Sequence, residues 1–155
     1  MKTLTKLTLA VALIIAGAVS TAMAQRTIDI VGTDNMKFDV TSIEAEAGEE
    51  ITIRFKTKSQ MPKTAMAHNV VVVDKDADVD ALAQASMQAR DNEYVAPEYK
   101  DDIVAATALA GGGETVEVTF TVPEEPGDYE YICTFPGHYM AGMKGVLTVV
   151  PQTSR

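Results

Sequence analysis

The stretch Cys133-Thr134-Phe135-Pro136-Gly137-His138-Tyr139-Met140-Ala141-Gly142-Met143-Lys144-Gly145 holds the only cysteine of the 155-residue chain, one of its two histidines and two of its eight methionines. A thiol, an imidazole and a thioether therefore fall within the eleven residues from 133 to 143. Such a soft donor set suits copper. Pro136-Gly137 makes a tight turn that holds Cys133 and His138 on one side of a loop. The loop runs straight into a closing strand at residues 145–150.

The other histidine, His68, lies far upstream, just before a run of valines. Thiolate from Cys133 and neutral imidazoles from His68 and His138 complete a trigonal plane, with a methionine sulfur further away on the axis. Met140 and Met143 both offer that sulfur. A residue two positions past a ligand on a tight loop points away from the shared metal. Five positions, with Ala141-Gly142 permitting a sharp bend, let the chain return, so geometry favours Met143.

This site uses both histidines and the cysteine. No ligands remain for a second copper at which a substrate would react, and no second cysteine exists to bridge a dinuclear centre. The expected site has no open position of the kind hydrolytic zinc uses. The chain shows no Ser/His/Asp set and no helical zinc-protease motif. Gly111-Gly112-Gly113 is not followed by the Lys-Ser/Thr of a phosphate loop, so it reads as a turn. An enzyme is not expected. A copper store or chaperone and a zinc-bound structural domain stand as rivals. Copper release calls for exposed methionine and histidine clusters, and methionine is a poor zinc ligand.

Residues 1–24 carry Lys2 and Lys6, then an apolar run from Leu7 to Val19, then Ala22-Met23-Ala24. This is the pattern of a secretory signal peptide cleaved before Gln25, with an uncleaved anchor as the alternative. The run is shorter than the ~20 residues of a spanning helix. Residues 25–155 form one expected domain with a net charge of −11. That acidity argues against nucleic acid or anionic lipid as a partner. Export places a lone thiol in an oxidising compartment, where a bound metal protects it.

The domain reads mostly as short strands. Ile28 and Ile30, then Phe38, Val40 and Ile43, alternate with polar residues. So do Ile51, Ile53 and Phe55, then Val116, Val118 and Phe120, then Tyr129, Tyr131 and Cys133. Residues 69–73 form a β-branched run expected to be buried on both faces, and residues 146–150 close the chain. Val79, Leu82, Ala83 and Met87 fall at helical spacing. The pattern predicts a short helix over 79–90, capped by Asp76 or Asp78. Residues 92–102 read as loop. The expected fold is all-β: an antiparallel Greek-key sandwich or barrel of about eight strands with one short helical flap.

Two blocks carry a family resemblance. Cys133-Thr-Phe-Pro-Gly-His138 with Met143-Lys144-Gly145 resembles the ligand loop of the cupredoxins of the azurin and auracyanin group. Met61-Pro62-Lys63-Thr64-Ala65-Met66-Ala67-His68-Asn69 resembles the segment that carries their first histidine. The resemblance implies a type 1, or blue, copper protein that shuttles single electrons outside the cytoplasm, in the periplasm or a similar space. Its cofactor would be one copper ion. Its transient partners would be redox proteins, such as a c-type cytochrome or a respiratory or photosynthetic complex. By the same resemblance His68, Cys133 and His138 match the strong ligands, Met143 the axial methionine, and the Ala67 carbonyl a weak opposite contact. Asn69 matches a residue that ties the two ligand loops together, with its backbone N–H aimed at the cysteine sulfur. Phe135 would pack beside the ligands. Met66, Pro136, Tyr139 and Met140 are apolar neighbours of the ligands and form the expected electron-exit patch. The chain departs from azurins in having no tryptophan, no disulfide, alanine at 67, and four residues between His138 and Met143. These departures lean towards auracyanins.

Overall fold

The computed structural model describes residues 26–153, so the expected signal segment lies outside them. Strand β1 (Arg26–Thr33) passes through a turn into the short β2 (Lys37–Phe38). The turn is closed by Met36 N–H donating to Thr33 O at 2.9 Å, with Met36 at a left-handed φ of 53°. Strands β3 (Ser42–Glu46) and β4 (Glu50–Lys58) follow, then a long irregular passage to β5 (Val71–Val73). Helix α1 (Val79–Ser86) precedes β6 (Ile103–Ala106), β7 (Thr115–Thr121), β8 (Gly127–Ile132) and β9 (Lys144–Val150).

The strands form two sheets, ordered β2-β1-β4-β7 and β3-β9-β8-β5-β6. Their facing sides enclose one core. Ile30, Ile51, Ile53 and Phe55 come from the first sheet, and Val72, Tyr129, Tyr131 and Leu147 from the second, each at most 1% exposed. The alternation that marks half-buried strands is what directs these side chains to one face. The expected all-β sandwich is therefore present, with nine strands among the described residues where about eight were expected. It is not purely antiparallel: β1 runs parallel to β4 and β3 parallel to β9. Periodicity reports burial and leaves strand direction open, since parallel and antiparallel partners bury the same alternate residues.

Strand β5 is buried on both sides, as the unbroken valine run predicts. Val72 faces the main core. Val71 and Val73 join Ile132, Leu82 and Ala83 in a second cluster beneath α1. The helix begins where expected, with the Asp78 carboxylate accepting from Ala81 N–H at 3.0 Å, so Asp78 and not Asp76 is the cap. It stops at Ser86, short of residue 90. Its last bonds tighten to Gln88 N–H→Ala85 O and Ala89 N–H→Ser86 O, and Glu93 and Tyr94 then turn left-handed at φ 55° and 60°. The stretch read as loop contains a 3-10 segment, Pro97–Asp102, and leads into β6, which sequence periodicity did not reveal. Among the described residues no helix is long and apolar enough to cross a membrane.

One glycine fixes the end of the site. A Cβ on Gly145 would fall inside the ring of Tyr131, which is fully buried and donates its hydroxyl to Val40 O at 2.8 Å. Only glycine lets β9 leave the ligand loop this close to β8.

Candidate metal centre

Cys133 follows directly on β8, and its side chain is fully buried. His138 lies in the loop beyond it, 3% exposed, and His68 is fully buried. His68 lies just before the valine strand and does not sit in a regular strand itself. It forms an isolated bridge with Ala110: His68 N–H donates to Ala110 O at 3.0 Å and Ala110 N–H to His68 O at 2.8 Å. Thr57 holds the same Ala110 carbonyl through its hydroxyl at 3.0 Å. The first histidine is thus pinned, through Ala110, to Thr57 on β4.

Three donor atoms converge. His68 Nδ1 and His138 Nδ1 are 3.0 Å apart, Cys133 Sγ is 3.5 Å from His138 Nδ1, and it is 3.8 Å from His68 Nδ1. The point equidistant from the corners of a triangle with those edges lies about 2.0 Å from each, close to ordinary metal–imidazole distances of about 2.0–2.1 Å and metal–thiolate distances of about 2.3 Å. Among the described residues this is the one His/Cys/Asp/Glu cluster of that kind.

The surroundings fit a metal as well as the distances do. Burial pushes both imidazoles down to about 4; Asp34 partly opposes this at His68, and His68 reinforces it at His138. Both rings are therefore neutral at physiological pH, with a lone pair free to bind. Burial pushes the Cys133 thiol up to about 12, partly offset by the backbone N–H groups of Asn69 and Phe135 that reach the sulfur. A thiolate in this dry position needs a cation beside it. Among the described residues, His68 Nε2 is buried with no hydrogen-bond partner.

Residues 24–150 match the model of a family described as copper binding proteins, plastocyanin/azurin family. The chain belongs to that family. It is 40% identical over 123 residues to azurin of Alcaligenes faecalis, covering 77% of this chain and 94% of the azurin. It is 41% identical over 117 residues to auracyanin-A of Chloroflexus aurantiacus, covering 75% of this chain and 68% of that one. Among solved structures, reduced auracyanin from Roseiflexus castenholzii superposes with a TM-score of 0.72 at 35% identity, covering 83% of this chain and 99% of the auracyanin.

In this member of the plastocyanin/azurin family the ligand loop is a single helical turn with a defined stop. Ala141 N–H donates to Gly137 O at 3.0 Å, Gly142 N–H to Tyr139 O at 2.8 Å, and Met143 N–H to His138 O at 3.0 Å. Gly142 is left-handed, at φ 86°. This is a Schellman ending, with Gly142 at the left-handed position and Met143 just past it. Its widest bond joins His138 to Met143 directly. Four intervening residues are what that bond requires, which gives a physical reason for the His138–Met143 spacing. Met143 O also accepts from Cys133 N–H at 3.1 Å, so the backbone of Met143 ties together both ligand-bearing ends of the loop.

The two candidate axial methionines separate clearly: Met143 is fully buried, whereas Met140 is 71% exposed. Asn69 joins the two halves of the site. Its carbonyl oxygen accepts from Thr134 N–H at 2.9 Å, and its amide donates to Thr134 Oγ1 at 2.8 Å. Ala67 is fully buried next to His68. Phe135, 9% exposed, packs its ring against His138 at 4.8 Å and Tyr94 at 5.0 Å, so it belongs to the wall of the site. Pro136 is exposed and Met66 half-buried beside the ligands. Tyr139 is half-buried and leans towards α1, packing on the second cluster and donating its hydroxyl to Asp80. Sequence reasoning missed Ala110, Thr134 and Tyr94. It also missed Lys37 and Gly32, which touch the loop from β1 and β2. All five are ordinary residue types whose roles come from distant partners.

Proposed function

We infer that this chain carries single electrons between redox proteins on one type 1 copper ion. The observation that supports this most is the buried triangle of two imidazole nitrogens and one sulfur. We propose His68, Cys133 and His138 as the strong ligands and Met143 as the weak axial one. The Ala67 carbonyl is the candidate for a weak contact on the opposite side. Bound copper supplies a one-electron couple. The chain supplies the rest: burial excludes water, Asn69 and Phe135 N–H groups steady the sulfur, and the Asn69–Thr134 bonds and the Schellman turn keep the donors in place. A site held this firmly moves little when its charge changes, which is the requirement for fast electron transfer. The same closure disfavours the store or chaperone reading, since release would require breaking buried bonds.

Titration of the copper-free protein with cupric ion tests the reading. One equivalent is expected to give an intense blue or green colour from the thiolate. Uptake of several equivalents without that band would point to a store.

The electron leaves through His138, which keeps the small exposure that His68 lacks. Exposed Met140 and Pro136, with half-buried Met66, frame it with apolar surface suited to transient docking. Met140→Lys and Met66→Glu are expected to slow electron exchange between copies, or with a partner, and to leave the absorption spectrum nearly unchanged. Unaltered exchange rates in both variants would place the exit elsewhere.

Residues 1–24 are proposed to direct export and to be removed, leaving the acidic domain outside the cytoplasm. The intact mass of the exported protein is expected to correspond to a chain starting at Gln25, with allowance for cyclisation of that glutamine. A mass that includes residues 1–24 would establish the anchor instead.

A further inference from the structure

We propose that Lys37 is a positioning residue for the copper loop: its ammonium group clamps the turn that presents Met143 and raises the reduction potential of the site. Lys37 Nζ donates to Ala141 O at 2.7 Å and to Gly142 O at 3.1 Å. These are the carbonyls at the end of the helical turn, left free by its Schellman closure and carrying the negative end of its dipole. A cation at such an end ordinarily comes from the turn itself. Residues 137–142 contain no lysine or arginine, so the cation arrives from β2, more than a hundred residues earlier in the chain.

The surrounding geometry is built for this contact. Gly142 needs no side chain for its φ of 86°, and a Cβ there would lie 2.7 Å from Lys37 Nζ. Absence of that carbon serves both the left-handed turn and the approach of the ammonium group. Lys37 itself is anchored. It pairs with Thr33 across the β1–β2 turn, and its neighbour Phe38 is buried against the rings of Phe55 and Tyr131 at 5.8 and 5.6 Å. The same hairpin also meets the Met143 side chain. A Cβ on Gly32 would stand 3.0 Å from Met143 Cε and 2.7 Å from the Phe55 ring. The hairpin therefore bears on Met143 at its methyl group and at the peptide just before it.

Two effects follow. Fixing the end of the turn restricts how far the Met143 segment moves. A positive charge held beside the site disfavours the oxidised, more positive state and favours the reduced one. The proposal rests on the copper-carrier reading, so its test has one arm that needs no copper.

Lys37→Met keeps the apolar stem and removes the ammonium group; Lys37→Arg keeps charge and donors; Lys56→Met removes a cation from β4. Voltammetry of the copper forms and amide hydrogen exchange at Gly142 and Met143 in the copper-free forms are the readouts. Lys37→Met is expected to lower the potential and to speed exchange at both amides about fivefold, the worth of one lost hydrogen bond. Lys37→Arg should restore both, and Lys56→Met should leave both near their original values. Unchanged potential and exchange in Lys37→Met, or an equal fall in potential from Lys56→Met, would overturn the proposal. A wild-type protein that stays colourless with cupric ion overturns the carrier reading and with it the potential arm, while exchange still decides the clamp.

Discussion

Cys133→Ser is expected to give a folded protein that shows no blue or green colour with cupric ion. The sulfur is one corner of the donor triangle, 3.5 and 3.8 Å from the two imidazole nitrogens. Its charge-transfer band is the source of the colour. A serine hydroxyl fits the fully buried position, and the N–H groups of Asn69 and Phe135 that reach the sulfur remain available to its oxygen. The hydroxyl does not yield a soft anionic donor, so loss of colour is complete and not a shift in wavelength. Circular dichroism should confirm that the sandwich is intact. Full retention of the band in the serine variant would rule out the thiolate site.

The second large effect concerns Met143. Replacing its thioether with the harder amide oxygen in Met143→Gln is expected to favour the cupric state and to lower the reduction potential markedly. Met140→Gln should change the potential far less. The structure supplies the reason: Met143 is fully buried with its backbone bonded to both His138 and Cys133, while Met140 is 71% exposed on the outer side of the turn. Voltammetry of the two variants settles the assignment, and a larger drop from Met140→Gln would reverse it. The glutamine is close to isosteric with methionine, so the change acts through the donor atom more than through packing.

Much of this site was legible in the chain because its logic is local. Cys133, His138 and Met143 lie within one loop; the bonds inside its turn span three to five residues, and the bond joining its ends, Cys133 N–H to Met143 O, spans ten. Pro136, Gly137 and Gly142 announce the turns that such bonds need. His68 was legible as the remaining histidine and through the resemblance of residues 61–69 to the family's first-histidine segment. Nothing near it in sequence indicates that Ala110 holds its backbone.

The strands divide in the same way. Alternation in residues 51–56 and 129–133 marks which side chains are buried, and the structure buries Ile51, Ile53, Phe55, Tyr129, Tyr131 and Cys133. Alternation has no term for the partner strand. The parallel pairings of β1 with β4 and of β3 with β9 join strands that are not neighbours in the chain, β3 of the other sheet coming between β1 and β4. Strand β6 escaped notice because four residues, Ile103–Ala106, are too few to show a period.

The sequence by itself determined the donor chemistry, the shape of the ligand loop and which faces of the strands are apolar. Each of these depends on residues within a turn or two of one another. The residue types and the family resemblance named His68 as the third donor and Asn69 as the tie between the loops; the tertiary contacts alone show how close the donors stand, that Asn69 bonds Thr134 across 65 residues, and that Lys37 reaches Ala141 across 104. Such contacts depend on how two sheets pack and in what register. That outcome belongs to the whole core, and no short segment encodes it.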